Sequence, residues 1–299
     1  MLTKSLSAIL MGFTIGVTFS LWLQRNSQIN TTEMITSTPI ILPSSSKHEQ
    51  LKSNLSTNFN INYDNIAQFY EGYYKFYELN REWQKKSFLG VHFLQNPNDA
   101  ITIAEILHDQ DIDLVIETGT YRGGAALFFA SIMYQYRYNA SSKTIRPFKI
   151  VTMDINAEAK TYINRYPLLA SYITFIPHGS MTEIAKSIVN RTFIEMKPKN
   201  VFISLDGDHY SKSVYDELVY FQNYLSKIGN YILVQDTRLS SKWHTMYCAE
   251  AKLGGPCNGP QEGVNWFLKN EGQGRFVSDP GKEYLFSTHH NGWLKKIAL

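Results

Sequence analysis

The chain has 299 residues, of which 43% are hydrophobic and 18% charged, enough apolar sequence for a full globular core and too much for a disordered protein. Its formal net charge is only +3, with no dense Lys/Arg stripe and no basic residues interleaved with aromatics, so no nucleic-acid partner is expected.

The first predicted element is Ser5–Leu23, an uncharged run about as long as a bilayer is thick. No small-residue cleavage site follows it, and Trp22 stands where an interfacial anchor would. Residues 1–25 therefore read as a tip and an uncleaved signal anchor, a transmembrane helix that partners with a membrane. A cleaved signal peptide is the alternative. Residues 26–60 are rich in Ser, Thr and Asn without periodicity, as in a flexible stem. Sequons begin at Asn30, Asn54, Asn139 and Asn190, which accept glycans if the chain faces a secretory lumen. A tip, an anchor, a stem and a domain over residues 61–299 together read as a single-pass Golgi- or ER-type glycoprotein enzyme.

Asp64–Lys86 carries aromatic residues at helical spacing, among them Phe69, Tyr70, Tyr73, Tyr77 and Trp83. The spacing predicts a helix packed on the main domain. The other reading gives one or two of these rings to the wall of a substrate pocket. Asn98–His108 is predicted as a helix after Pro97, capped by Asn98. Strands are then predicted at 114–117, 148–154, 172–177, 200–206 and 231–236, alternating with helices at 123–134, 157–165, 182–189 and 213–227. Repeated βα units with continuous apolar strands imply an α/β fold with a doubly wound, mostly parallel, Rossmann-like sheet. Short runs at Phe276–Ser278 and Tyr284–Leu294 would close the sheet edge, partly antiparallel. Cys248 and Cys257 share one late loop, either as a disulfide in an oxidising compartment or as two free thiols.

Ligands of such sheets bind outside the carboxyl ends of the strands. The first strand ends in LVIETGTYRGG, where Gly119, Gly123 and Gly124 allow a tight turn and close approach. A carboxylate in that turn, Glu117, does not suit a pyrophosphate but suits a cationic ligand, and S-adenosylmethionine fits. A plain structural turn is the competing reading. Asp154 ends the second strand and is placed to accept two ribose hydroxyls. Ser180 follows the third strand, where adenine would lie. Asp206 and Asp236 end neighbouring strands and suit Mg2+ or Ca2+, unless they are exposed loop acids. His209, three residues past Asp206, is a candidate general base.

The order ETGTYRGG, MD, LDGDH, QDT, then Gly259-Pro260 leading to Trp266-Phe267-Leu268, resembles the cephalosporin hydroxylase family. So do the entry segment FLGVHFLQNPNDA and the closing HHNGWLKK, so that the resemblance spans about Phe88–Lys296. The resemblance implies a class I S-adenosylmethionine-dependent methyltransferase fold, in a family that includes rhamnosyl and macrolide-sugar O-methyltransferases. It implies Glu117, Gly119, Gly123 and Gly124 in the cofactor loop, Asp154 on the ribose, Asp206 and Asp236 on a metal and His209 as base. Gln235 stands where the family often has Glu, which leaves it as a weaker metal ligand. Ser180 stands where an Asp often follows the Gly. Arg137–Pro147 lengthens the first crossover, and the anchor is untypical of bacterial members. An iron oxygenase would need two His and one carboxylate at a spacing this sequence does not show.

The expectation is a metal-assisted (Mg2+), S-adenosylmethionine-dependent O-methyltransferase acting on a hydroxyl of a sugar, glycan or small molecule. The rivals are a Golgi-type glycosyltransferase using Asp206-Gly207-Asp208, and a catalytically inactive binding domain. A homo-oligomer stays open.

Overall fold

Runs of uninterrupted apolar residues hold as strands only when both faces of their sheet are covered. The computed structural model, which describes residues 63–240, 248, 257–283 and 287–299, covers them so. The described residues fall within one unit, Asn62–Leu299. The expected anchor and stem lie outside the described residues. Among the described residues, no helix is long and apolar enough to cross a membrane.

In chain order the elements are α1 (Tyr63–Leu79), α2 (Pro97–Asp109), β1 (Leu114–Thr118), α3 (Gly124–Arg137), β2 (Lys149–Met153), α4 (Ala159–Ile163), β3 (Ile173–Ile176), α5 (Glu183–Met196), β4 (Val201–Leu205), α6 (Ser211–Phe221), β5 (Tyr231–Val234), α7 (Pro260–Lys269), β6 (Phe276–Ser278) and β7 (Trp293–Lys296). The sheet order is β6-β7-β5-β4-β1-β2-β3. β1 to β5 run parallel, and β7 and β6 close one edge antiparallel, as expected. Alternate residues of each strand face opposite cores. Val115, Ile150 and Phe202 meet α2 and α3 on one face, while Leu114, Ile116 and Ile203 meet α5, α6 and α7 on the other. The strand order reverses at β1 and β4, and that reversal creates the crevice.

Three expectations need correction. α2 is capped by Asn96, not Asn98: the Asn96 side chain accepts the Asn98 amide at 3.0 Å, and Pro97, which has no N–H to satisfy, takes the first helical position. The run predicted as one helix over Asp64–Lys86 stops at Leu79, and Arg81 turns left-handed (φ 50°) before a 3-10 turn at Glu82–Lys85. The last strand starts only at Trp293, because Gly292 packs against β5, where a Cβ would lie 2.2 Å from the Val234 carbonyl.

The long first crossover forms a small hairpin, Tyr138–Asn139 with Thr144–Ile145. It hangs on the buried Arg137, whose guanidinium donates to the Pro147 carbonyl at 2.8 Å, the Asp111 carboxylate at 3.0 Å and the Asp113 carboxylate at 3.1 Å. Cys248 and Cys257 form a disulfide.

α1 packs on the domain through Tyr77, as its stripe predicted, and through Tyr74, which the stripe did not include, while Phe69 is exposed. Arg238, just after β5, fastens it: its Nε donates to the Tyr70 hydroxyl at 3.1 Å, and its guanidinium lies 3.9 Å over the Tyr70 ring. Such a cation–π contact contributes about 0.5–2 kcal/mol. The Tyr70 hydroxyl in turn donates to the Ser287 carbonyl.

Candidate active site

The carboxyl ends of β1 and β4 touch backbone to backbone. A Cβ on Gly119, which has φ +79°, would lie 1.8 Å from the Asp206 carbonyl oxygen, so only glycine serves there. Asp154, just past β2, pins the turn that follows. Its Oδ2 accepts the Tyr121 amide at 2.7 Å and its Oδ1 the Asn156 amide at 2.8 Å.

Above these strand ends opens a cavity of about 720 Å³, a volume that suits a cofactor and part of an acceptor. Of the expected cofactor residues, Gly119, Asp154 and Ser180 line it. Gly123 and Gly124 instead shape the turn beneath: a Cβ on Gly124 would lie 2.0 Å from the His92 carbonyl. Glu117 is fully buried one layer down, on the α2–α3 face it shares with Val115. Its Oε2 accepts from Thr152 Oγ1 at 2.5 Å, and its Oε1 has no hydrogen-bond partner. Burial pushes its carboxyl up to about 8.

The metal residues converge at the cavity floor. His209 Nε2 lies 3.5 Å from Asp206 Oδ1 and 3.3 Å from Asp236 Oδ2. One ligand atom from each of the three residues lies within 4.8 Å of the others, close enough to share one ion. The two carboxylates supply hard oxygen donors that fit a divalent cation such as Mg2+, with the imidazole beside them. Burial would lower the His209 imidazole, but hydrogen bonds and charge from both acids outweigh it and hold the ring up at about 10. Burial also raises Asp206, His209 pulls it back, and Asp236 raises it again.

Gln235 lines the same cavity. Its Nε2 donates to Ser204 Oγ at 2.8 Å and its Oε1 accepts the Gln95 amide, so both ends of the amide expected as a weak ligand already have protein partners. Asp208, the other half of the expected Asp-x-Asp pair, also lines the cavity. Its carboxylate accepts from Ser213 Oγ at 2.6 Å and from the Tyr210 amide at 3.2 Å, at the start of α6.

Sequence reasoning missed three supporting residues. His289 Nδ1 accepts the Asp236 backbone amide at 2.9 Å, so its proton sits on Nε2, which faces Gln95 Oε1 at 3.3 Å and Asp99 Oδ2 at 3.5 Å. This contact holds Asp236 in its left-handed conformation, φ 55°. Asp99 also accepts the Thr288 amide at 2.8 Å. Glu217, on the buried face of α6, accepts from Ser180 Oγ at 2.5 Å and Thr118 Oγ1 at 3.2 Å, and burial pushes it up to about 7. An acid at helical spacing among Val214, Leu218 and Phe221 was the signal available for it.

The aromatic helix reaches the cavity as well. Tyr77 and Glu78 of α1, and Trp83 of the following turn, line its outer wall. Tyr77 thus both packs on the domain and lines the cavity, and Trp83 lines it too. Burial and then Asp236 push the Glu78 carboxyl up to about 7.

Residues 80–297 match the family model described as Rhamnosyl O-methyltransferase/CmcI. A rhamnosyl O-methyltransferase of Mycobacterium leprae is 30% identical over 233 residues, covering 77% of this chain and 90% of that protein. One of Mycobacterium tuberculosis is 30% identical over 171 residues, 57% of this chain and 64% of that protein, so the match spans under two thirds of this relative. A solved structure of CmcI, described with Mg-SAM, superposes with a TM-score of 0.51 at 11% identity, over 72% of this chain and 78% of that one, a likeness of fold alone.

Proposed function

The chain belongs to the Rhamnosyl O-methyltransferase/CmcI family, and from that premise we propose that it transfers the methyl group of S-adenosylmethionine to a hydroxyl of a sugar acceptor of rhamnosyl type, assisted by Mg2+ held at Asp206 and Asp236. The observation that carries this reading is the convergence of Asp206, His209 and Asp236 on one point of a cavity whose other lining includes Gly119, Asp154 and Ser180.

When bound, the cofactor supplies an electrophilic methyl group and the metal lowers the pKa of the acceptor hydroxyl. The chain's own residues do the rest. Asp154 keeps a lone pair on each oxygen for ribose hydroxyls after accepting its two backbone amides. His209 Nε2 takes the acceptor proton. With a cation compensating the two carboxylates beside it, Nε2 would be free to accept that proton. The buried His289 and Asp99 keep Asp236 aimed at the same point.

The test is transfer of labelled methyl from S-adenosylmethionine to methyl α-L-rhamnoside by the full chain. Asp206→Ala is expected to abolish metal-dependent turnover while cofactor binding persists. His209→Ala is expected to lower kcat by about 10²–10⁴-fold. Full-rate transfer in a chelator, or in both variants, overturns the mechanism.

We further propose that the domain works in an oxidising lumen, tethered by Ser5–Leu23 as a signal anchor. What supports this is the pairing of the chain's two cysteines and the exposed sequon at Asn139.

A further inference from the structure

The cavity has one side that the sheet does not build. Tyr77, Glu78 and Trp83 line the cavity from α1 and the turn after it, together with the strand-end residues Asp206, His209 and Asp236. Tyr77 and Glu78 belong to α1, which ends at Leu79, just before the stretch matched by the family model begins at residue 80. This wall is firmly placed. Arg238 holds the Tyr70 side of α1, and Lys86 donates to the Tyr77 hydroxyl at 2.7 Å while lying 4.2 Å over its ring.

We propose that this wall is the acceptor subsite: the Trp83 and Tyr77 rings cover the apolar face of a sugar ring, and the Glu78 carboxyl binds hydroxyls next to the one that receives the methyl group. The inference rests on the methyl-transfer reading. A pyranose has one face of C–H bonds and an equatorial rim of O–H donors. Two aromatic rings and one acid are the matching set, since the rings bury apolar area and the carboxyl accepts from two hydroxyls. Glu78 is not one of the three residues of the metal cluster found among the described residues, and it lines the same cavity. The Tyr77 hydroxyl is engaged by Lys86, so Tyr77 adds ring rather than a free hydroxyl to the lining. Tyr77 and Glu78 precede the matched stretch and Trp83 lies at its very start, so most of this wall can differ between members that share the cofactor site.

The experiment uses the full chain, S-adenosylhomocysteine for cofactor binding, and methyl α-L-rhamnoside as acceptor probe. Glu78→Gln and Trp83→Ala are each expected to raise KM for the rhamnoside about tenfold with a smaller fall in kcat, the pattern of lost acceptor binding. Affinity for S-adenosylhomocysteine, measured by calorimetry, should match the unmodified protein and so report an intact fold. With S-adenosylhomocysteine bound, the rhamnoside should quench tryptophan fluorescence in the unmodified chain and not in Trp83→Ala. If the unmodified chain methylates the rhamnoside and both variants keep its KM, the acceptor wall is wrong and the methyltransferase reading stands. If the unmodified chain binds S-adenosylhomocysteine but neither methylates nor responds to the rhamnoside, the sugar reading falls and this wall with it.

Discussion

Glu117 is an acid with no room for a charge. Its carboxyl is fully buried between β2 and the α2–α3 core and receives one hydroxyl, so burial holds it protonated up to about pH 8. In the unfolded chain the same group ionises near 4.5, so between those values the native state binds more protons than the unfolded one. Stability therefore falls as pH rises across that window, with a slope from this group approaching about 1.4 kcal/mol per pH unit. Denaturant unfolding of the cofactor-free protein at pH 5.0, 6.5 and 8.0, repeated for Glu117→Gln, should show a flatter pH dependence in the variant; equal slopes would mean Glu117 is ionised in the fold. Gly119 is the other residue whose identity is dictated by geometry. Gly119→Ala puts a methyl 1.8 Å from the Asp206 carbonyl at a positive φ, and should cost about 2–5 kcal/mol and most of the cofactor affinity, read by the same unfolding curves and by calorimetry. Both positions were legible as strand-end residues. The depth of Glu117 follows from the alternation of β1, because Glu117 shares a face with Val115. A side chain on that face enters the helix-covered core rather than the open crevice, a consequence that the glycine-rich turn after it obscured.

At the scale of elements, local pattern carried most of the fold, and long-range contact carried most of the support for the site. Every parallel strand lay where an apolar run ended in a polar strand-end residue, since a strand covered on both faces leaves no alternation to misread. The links Gln95–Gln235 and Asp99–Thr288 join residues 140 and 189 positions apart and leave no periodic trace. They decide which partners the Gln235 amide meets and that His289 steadies Asp236. The inserted hairpin was legible only as extra length. Its anchor is Arg137, which is 2% exposed and bridges Asp111 and Asp113 at the amino-terminal edge of the sheet. Asp113 also accepts the Lys199 and Asn200 amides, at 2.8 and 3.0 Å, so the cluster joins α3, β1 and the entry to β4. Arg137→Met keeps the packing volume and removes the charge. It should destabilise the domain by about 2–4 kcal/mol, because carboxylates and a carbonyl lose their donor, and it should leave the acceptor KM unchanged, because the cluster lies at the opposite edge from the cavity. A variant as stable as the parent would show that water replaces the guanidinium at no cost.

For the whole molecule, the question is which compartment this arrangement suits. The chain has two cysteines, and the structure pairs them. A short loop closed in this way persists where no thiol reductant acts on it and opens in a reducing cytosol. Asn139 lies on the exposed turn of the inserted hairpin, its side chain accepting the Ser141 amide at 3.0 Å, far from the cavity and accessible to a bulky glycan. The uncharged run Ser5–Leu23 precedes a polar stretch of the length a stem needs. These three features are independent, and each has its own readout when the full chain is expressed in eukaryotic cells. Carbonate should fail to extract the protein from membranes. Glycosidase treatment should increase its gel mobility, with a smaller change for Asn139→Gln. Alkylation of the denatured, unreduced protein should label neither cysteine. If carbonate extracts the protein, the anchor reading fails. If both cysteines are labelled and glycosidase has no effect, the domain faces the cytosol, and the proposed reaction has to be sought among acceptors on that side of the membrane.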